Sequence, residues 1–108
     1  MNNQRKKLSE SEIINHMLEL GGDWSISEYG ELERQYYFDN YNDIAIFFSR
    51  IAKKAEAMSH HPNVLIKWGW CKIILFTHDN NCLSQNDFKL AKQIESFITN
   101  ENEQPVNP

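Results

Sequence analysis

The chain has 108 residues, of which 41% are hydrophobic and 24% charged, a balance typical of one globular domain. Its 11 basic and 15 acidic residues give a formal charge of −4, and the basic residues form no concentrated face of the kind that binds nucleic acid. No apolar run approaches the roughly 20 residues of a membrane span, and the polar N-terminus differs from a secretory signal, so we expect a cytoplasmic protein that binds neither nucleic acid nor membrane.

The N-terminal region predicts a flexible arm followed by a helix. Residues 1–7 are polar and without periodicity, which is typical of a loose chain end. Ser9 and Glu12 have the spacing of a capping box, and apolar residues then follow at helical spacing until Gly21. We therefore expect the folded domain to begin at Leu8, with its first helix directly after the cap.

Two strands and a long helix are expected next. Apolar and polar residues alternate over 24–29, and 32–38 is rich in aromatic residues, so the two segments predict a hairpin. Apolar residues recur at spacings of three and four over about 42–59, which is the strongest helical pattern in the chain. Pro62 disfavours helical geometry at His61, which places His61 in the loop that leaves this helix.

The second half predicts two further strands and a last helix. Residues 64–77 are rich in β-branched and aromatic residues, and Gly69 divides them into two strands. Ser84 and Asp87 indicate a second helix cap, and 100–108 has the composition of a disordered tail. The order α-β-β-α-β-β-α predicts an α+β fold in which three helices pack on one antiparallel four-stranded sheet.

Both faces of the third and fourth strands carry apolar side chains, including Trp68 and Trp70. An apolar sheet face is normally covered, and in a small domain one cover can be a second copy of the chain. We therefore expect the single domain, at residues 8–99, to form a homo-oligomer.

Three histidines stand where loops are expected. His60 and His61 follow the long helix in the stretch SHHPN, and His78 ends the apolar strand region. Imidazole ionises near neutral pH and is the commonest side chain for proton transfer in catalysis. Glu56 lies one helical turn before His60, where a carboxylate can orient the ring. The pair can equally serve only to cap the last helical carbonyls, so both interpretations stay open at this point.

A zinc site is the alternative use of these residues. His60, His61, His78 and Cys82 are acceptable ligand types, but adjacent histidines in an extended chain point to opposite sides and rarely share one ion. We therefore expect no metal. The two cysteines, Cys71 and Cys82, fit no disulfide framework, and we expect both to be free thiols in a reducing compartment.

The combined motif comprises Glu56-x3-His60-His61-Pro62, then Thr77-His78, then Leu83-Ser84-x2-Asp87 with Leu90-Ala91 and Ile94. This motif resembles that of the pterin-4a-carbinolamine dehydratases, a family also known in animals as the dimerisation cofactor of a homeodomain transcription factor. The likeness covers roughly residues 8–98, including Gly22-x-Trp24.

The resemblance implies the α-β-β-α-β-β-α fold, a homodimer or homotetramer, and a hydro-lyase that uses neither metal nor cofactor. Its substrate is a 4a-hydroxytetrahydropterin, which is dehydrated to the quinonoid dihydropterin in the recycling of the pterin used by aromatic amino acid hydroxylases. The reaction needs an acid for the C4a hydroxyl and a base for the N5 proton, which imidazoles provide near neutral pH. By resemblance, His60 and His78 form the acid/base pair, and His61 binds the pterin and stabilises developing charge.

The resemblance also implies four supporting residues. Glu56 is expected to orient the histidine cluster, while Thr77 and Asp87 help to shape the pocket. Trp24 is a further candidate for substrate binding, with a role in the core as its alternative.

Two departures from the family pattern concern the loop beside these residues. Cys82 stands where the family usually has glycine, and Asn86 stands where it often has arginine. They bear on the path of the loop and on substrate binding more than on the histidines. The alternative function is a non-enzymatic partner-binding or oligomerisation module of the same fold, in which the histidines have no catalytic role.

Overall fold

The computed structural model describes residues 3–99, so the tail predicted at 100–108 lies outside the described residues. Three helices and four strands follow one another as α1 (Glu10–Leu20), β1 (Ser25–Ile26), β2 (Leu32–Tyr37), α2 (Tyr41–Met58), β3 (Asn63–Lys67), β4 (Trp70–Leu75) and α3 (Gln85–Thr99). This order confirms the predicted α+β fold. A 3-10 helix at Asn3–Arg5 precedes α1, within the segment for which a flexible arm is predicted.

The sheet is antiparallel, with the strands in the spatial order β1-β2-β4-β3. β3 and β4 form a hairpin that turns at Gly69, whose φ of 94° favours glycine, so the predicted division of this region is confirmed. β1 is shorter than predicted. The Ser27 hydroxyl accepts hydrogen bonds from the amides of Tyr29 and Glu31, and this turn ends the strand at Ile26.

One face of the sheet carries the core. The register places Leu32 opposite Leu75 and Tyr36 opposite Cys71, and all four side chains are buried. α2 contributes four buried residues at the predicted helical spacing: Ile44, Phe47, Ile51 and Ala55. The other sheet face is open, and in the edge hairpin Leu65 is 47% and Trp68 68% exposed. Among residues 3–99, no helix is both long and apolar enough to cross a membrane.

Candidate active site

The end of α2 places the two adjacent histidines in different environments. Ser59 is left-handed, with φ 51° and ψ 43°, and the amides of Ser59 and His60 donate to the carbonyls of Glu56 and Ala55 at 3.2 and 3.0 Å. This is the Schellman arrangement, which turns the chain out of the helix. His60 becomes buried, while the exposed His61 has its Nε2 3.1 Å from Glu56 Oε2. Glu56 therefore contacts His61 rather than His60, contrary to the expectation from helical spacing.

A buried carboxylate, that of Asp87, provides the contact with His60. Asp87 Oδ1 lies 2.6 Å from His60 Nε2, and the residues are 0% and 4% exposed. Asp87 Oδ2 accepts hydrogen bonds from the Thr77 hydroxyl at 2.8 Å and from the Ser84 amide at 2.9 Å. A carboxylate held in this way determines the orientation of the imidazole and the ring nitrogen that carries the proton.

Asp87 reaches this position because it lies in the first turn of α3. Its bond to the Ser84 amide is one half of the predicted helix cap, and a negative charge is favoured at this end of a helix. The Ser84 hydroxyl does not complete a capping box, since it lies 2.6 Å from the Thr77 hydroxyl instead. Asp87 therefore serves as the predicted cap residue and also as a contact of His60, a role that the sequence did not indicate.

The hydrogen bonds of Asp87 also reach the chain neighbour of the third histidine, His78. Thr77 directly precedes His78, which is exposed and has its ring edge-on to Phe76 at 5.4 Å between centroids. Thr77 also forms a β-bridge with Cys82, which closes the loop that carries His78. Asp87 thus links the loop of His60 to the strand end that carries His78.

Trp24 lies in a separate buried cluster. Its Nε1 donates to Glu95 Oε2 at 2.9 Å, and the hydroxyl of Tyr36 donates to the same oxygen at 2.5 Å. Arg34 forms an ion pair with this carboxylate. Glu95 lies two turns beyond Asp87 on α3, about 12 Å along the helix axis. The contacts of Trp24 are those of a core residue, the alternative stated for it above, and sequence reasoning did not identify Glu95 as its partner.

The remaining histidine and the two cysteines provide no further site. His16 stacks on Phe88, with 4.8 Å between ring centroids. Cys71 and Cys82 are buried, free thiols, and burial together with the charge of Asp87 raises the pKa of the Cys82 thiol. Within residues 3–99, histidine, cysteine, aspartate and glutamate form no group of three or more that could hold a metal ion.

Comparison with known proteins defines the class of this fold and site. The family model for pterin 4 alpha carbinolamine dehydratase matches residues 6–97, and the chain belongs to this family. A relative from Rickettsia canadensis is 42% identical over 91 residues, which is 84% of each chain. A relative from Chloroflexus aggregans is 35% identical over 92 residues, covering 85% of this chain and 97% of the relative. Both are provisionally named pterin-4-alpha-carbinolamine dehydratase.

Two solved structures are similar in fold. A transcriptional coactivator/pterin dehydratase from Brucella melitensis has a TM-score of 0.79 and 25% identity, over 84% of this chain and 97% of that chain. A pterin dehydratase-like protein described as a RuBisCO assembly factor in the alpha-carboxysome has a TM-score of 0.59 and 16% identity, over 71% of this chain and 90% of that chain. The second likeness concerns the fold alone.

Proposed function

We propose that this chain is a hydro-lyase that dehydrates a 4a-hydroxytetrahydropterin to the quinonoid dihydropterin. The observation that carries the proposal is the buried His60–Asp87 pair, whose carboxylate also binds Thr77, directly before His78. Membership in the family and the names of the relatives support the substrate class. The three histidines and the buried carboxylate are the groups to which we assign the chemistry.

The proposed reaction breaks the C4a–O bond and the N5–H bond of the pterin and forms a C4a=N5 double bond and water. One histidine gives a proton to the leaving hydroxyl and another takes the N5 proton, so no net proton is consumed. We assign these two roles to His60 and His78, in either order. Because Nε2 of His60 is engaged by Asp87, its Nδ1 is the ring nitrogen left to exchange a proton with the substrate.

His61 has a different environment and a different proposed role. Its ring and the carboxylate of Glu56 are both exposed, and they lie 3.1 Å apart. We assign to His61 the binding of the pterin and the stabilisation of charge that develops in the transition state. Glu56 orients the His61 ring in this scheme, whereas Asp87 orients His60.

The test is the rate at which the purified protein converts enzymatically generated 4a-hydroxytetrahydropterin. His60→Ala and His78→Ala are each expected to lower kcat by about 10²–10⁴-fold, the usual contribution of general acid–base catalysis. His61→Ala is expected to act mainly on KM. His16→Gln, which changes the one histidine outside the cluster, is the matched control and should leave the rate unchanged. Wild-type rates for His60→Ala and His78→Ala would refute the assignment.

Exposed apolar residues of the edge hairpin favour a second function, the assembly of copies of this chain. Leu65, Ile66 and Trp68 are all large and exposed, and β3 ends the sheet on one side. We infer a homodimer or homotetramer; the alternative function is a non-enzymatic module that uses this surface to bind a partner. Trp68→Ser should lower the sedimentation mass if this hairpin lies in the interface, and an unchanged mass would count against it.

The proposed reaction also suggests a cellular setting. The product is the form of the pterin that must be reduced again before an aromatic amino acid hydroxylase can reuse it, so we propose a functional link to such an enzyme. Two free, buried thiols fit a reducing compartment, and we propose the cytoplasm.

A further inference from the structure

The side chain of Arg5 joins the two loops that carry the histidines. Its Nη1 lies 2.9 Å from Oδ2 of Asp79, the residue that follows His78. Its Nη2 donates to the carbonyl of Ser59, the residue that precedes His60, at 2.8 Å. One guanidinium therefore contacts the immediate chain neighbours of two histidines that come from different parts of the fold.

The backbone of this N-terminal segment is itself attached to the folded domain. The side-chain amide of Asn80 donates to the carbonyl of Arg5 at 2.7 Å. Three residues further on, the amide of Leu8 donates to the carbonyl of Leu83 at 3.0 Å, and the Leu8 side chain is buried in the core. Arg5 is thus attached to the folded domain through both its side chain and its backbone carbonyl.

The chemistry of arginine suits this position. A guanidinium is planar and presents several N–H donors in a fixed fork, so it can bind a carboxylate and a carbonyl at the same time. α2 has no basic residue in its last turn, and Arg5 brings a cation to this negative end of the helix. The contact is made at Ser59, the residue whose left-handed geometry turns the chain toward His60.

We propose that Arg5 is a positioning residue for the dehydration, an inference that rests on the proposed function. It sets the spacing between the loop of His60 and the loop of His78 by binding Ser59 and Asp79 together. The buried Asp87 network holds His60 and ends at Thr77. The loop beyond Thr77 is closed by its own hydrogen bonds, and the side chain of Arg5 ties it to the loop of His60. Loss of Arg5 should therefore lower the rate of catalysis without unfolding the domain.

The first test compares Arg5→Gln, Arg5→Lys and Lys6→Gln with the wild-type protein. Arg5→Gln should lower kcat about 10-fold, since small displacements of catalytic groups have large effects on rate. Arg5→Lys should have a kcat between those of Arg5→Gln and the wild type, because an ammonium can pair with Asp79 but lacks the fork that also reaches Ser59. Lys6→Gln removes the same charge from the neighbouring residue and should leave kcat unchanged. The melting temperature should move by no more than about 5 °C, as expected for an exposed ion pair.

The second test does not depend on activity. In Arg5→Gln, amide hydrogen exchange should become faster in both loops, at His60, which donates to Ala55, and at Asn81, which donates to His78, while the interior of α2 keeps its protection. Asp79→Asn should produce a similar change. Amide exchange in the double variant Arg5→Gln/Asp79→Asn should be no faster than in the faster of the two single variants, since both substitutions remove the contact between Arg5 and Asp79.

The outcomes separate the inference from the function on which it rests. A kcat for Arg5→Gln within twofold of the wild type, with exchange unchanged in both loops, would overturn the positioning role. Faster exchange throughout α2 would also overturn it, because it would show a general loss of stability. If the wild-type protein does not dehydrate the pterin, the proposed function fails, and the exchange data still decide whether Arg5 couples the two loops.

Discussion

At the scale of single residues, Asp87 connects the fold to the candidate site. One carboxylate caps α3, binds the hydroxyl that precedes His78, and contacts the ring of His60. The cap could be predicted from sequence, because Ser84 and Asp87 are three residues apart, which is the spacing of a helix N-cap and its partner in the first turn. The contact with His60 could not, since it joins residues 27 positions apart and depends on how α2 and α3 pack.

Replacing Asp87 with asparagine tests both roles. The amide has one acceptor oxygen where three donors converge, so Asp87→Asn should lower the free energy of unfolding by about 2–3 kcal/mol. It should also lower kcat at least 100-fold, because an amide does not select the same protonated nitrogen of His60. Urea denaturation and the dehydration assay measure the two effects. Thr77→Val, which removes the buried hydrogen bonds of the Thr77 hydroxyl to Asp87 and to Ser84, should cost about 1–3 kcal/mol. A wild-type rate for Asp87→Asn would show that His60 works without this carboxylate.

At the scale of elements, the helices were predictable because their signals are local. The Ser9 hydroxyl accepts from the Glu12 amide at 3.2 Å, and Glu12 Oε1 accepts from the Ser9 amide at 2.8 Å, which confirms the predicted capping box. α2 lies within one residue of the predicted 42–59 at each end. The left-handed Ser59 was not predicted, because serine carries no strong preference for that geometry. This one residue decides that His60 points into the protein and that Glu56 meets His61.

The helix end at Ser59 can be tested by substitution. A left-handed conformation costs most non-glycine residues about 1–2 kcal/mol, and glycine avoids this cost. Part of the gain from glycine is offset because its unfolded chain has more conformational freedom to lose on folding. Ser59→Gly should therefore be as stable as the wild type or more stable by up to about 1 kcal/mol, while Ser59→Val, with a β-branched side chain at positive φ, should lose about 1–2 kcal/mol. Chemical denaturation measures both. A valine variant as stable as the glycine variant would mean that this residue is not left-handed in solution.

At the scale of the whole molecule, one face of the sheet carries the core and the other face is open. The covered face contains buried groups that ionise only at high pH: burial raises the pKa of the Cys71 thiol to about 12, and burial with the hydrogen bond to Glu95 raises the pKa of the Tyr36 hydroxyl. The sequence predicts that both faces of this region are apolar and covered, whereas within the single chain β4 buries only Cys71, Ile73 and Leu75 on one face. The link from Trp24 to Glu95 could not be predicted from sequence, because it joins the first strand region to the last helix.

The raised thiol pKa predicts a loss of stability in alkali. Above the ordinary thiol pKa of 9.0, the unfolded chain releases the Cys71 proton while the native protein retains it, so the unfolded state binds fewer protons and stability falls as pH rises. Between pH 8 and 10.5, Cys71 alone should account for about 2 kcal/mol of lost unfolding free energy. Cys71→Ala should be less stable than the wild type at pH 8, but its free energy of unfolding should fall by about 2 kcal/mol less between pH 8 and 10.5. Equal losses in the two proteins would show that the thiol ionises as readily in the native state.

The most direct test of the account is the rate of 4a-hydroxytetrahydropterin dehydration by the wild-type protein and by the double variant His60→Ala/His78→Ala, each confirmed to be folded. Residues that act as one acid/base unit are non-additive, so the double variant should lose about as much as either single variant. We predict that the wild-type protein accelerates the reaction at least 100-fold more than the double variant does. Equal rates for the two proteins would contradict histidine catalysis at this site.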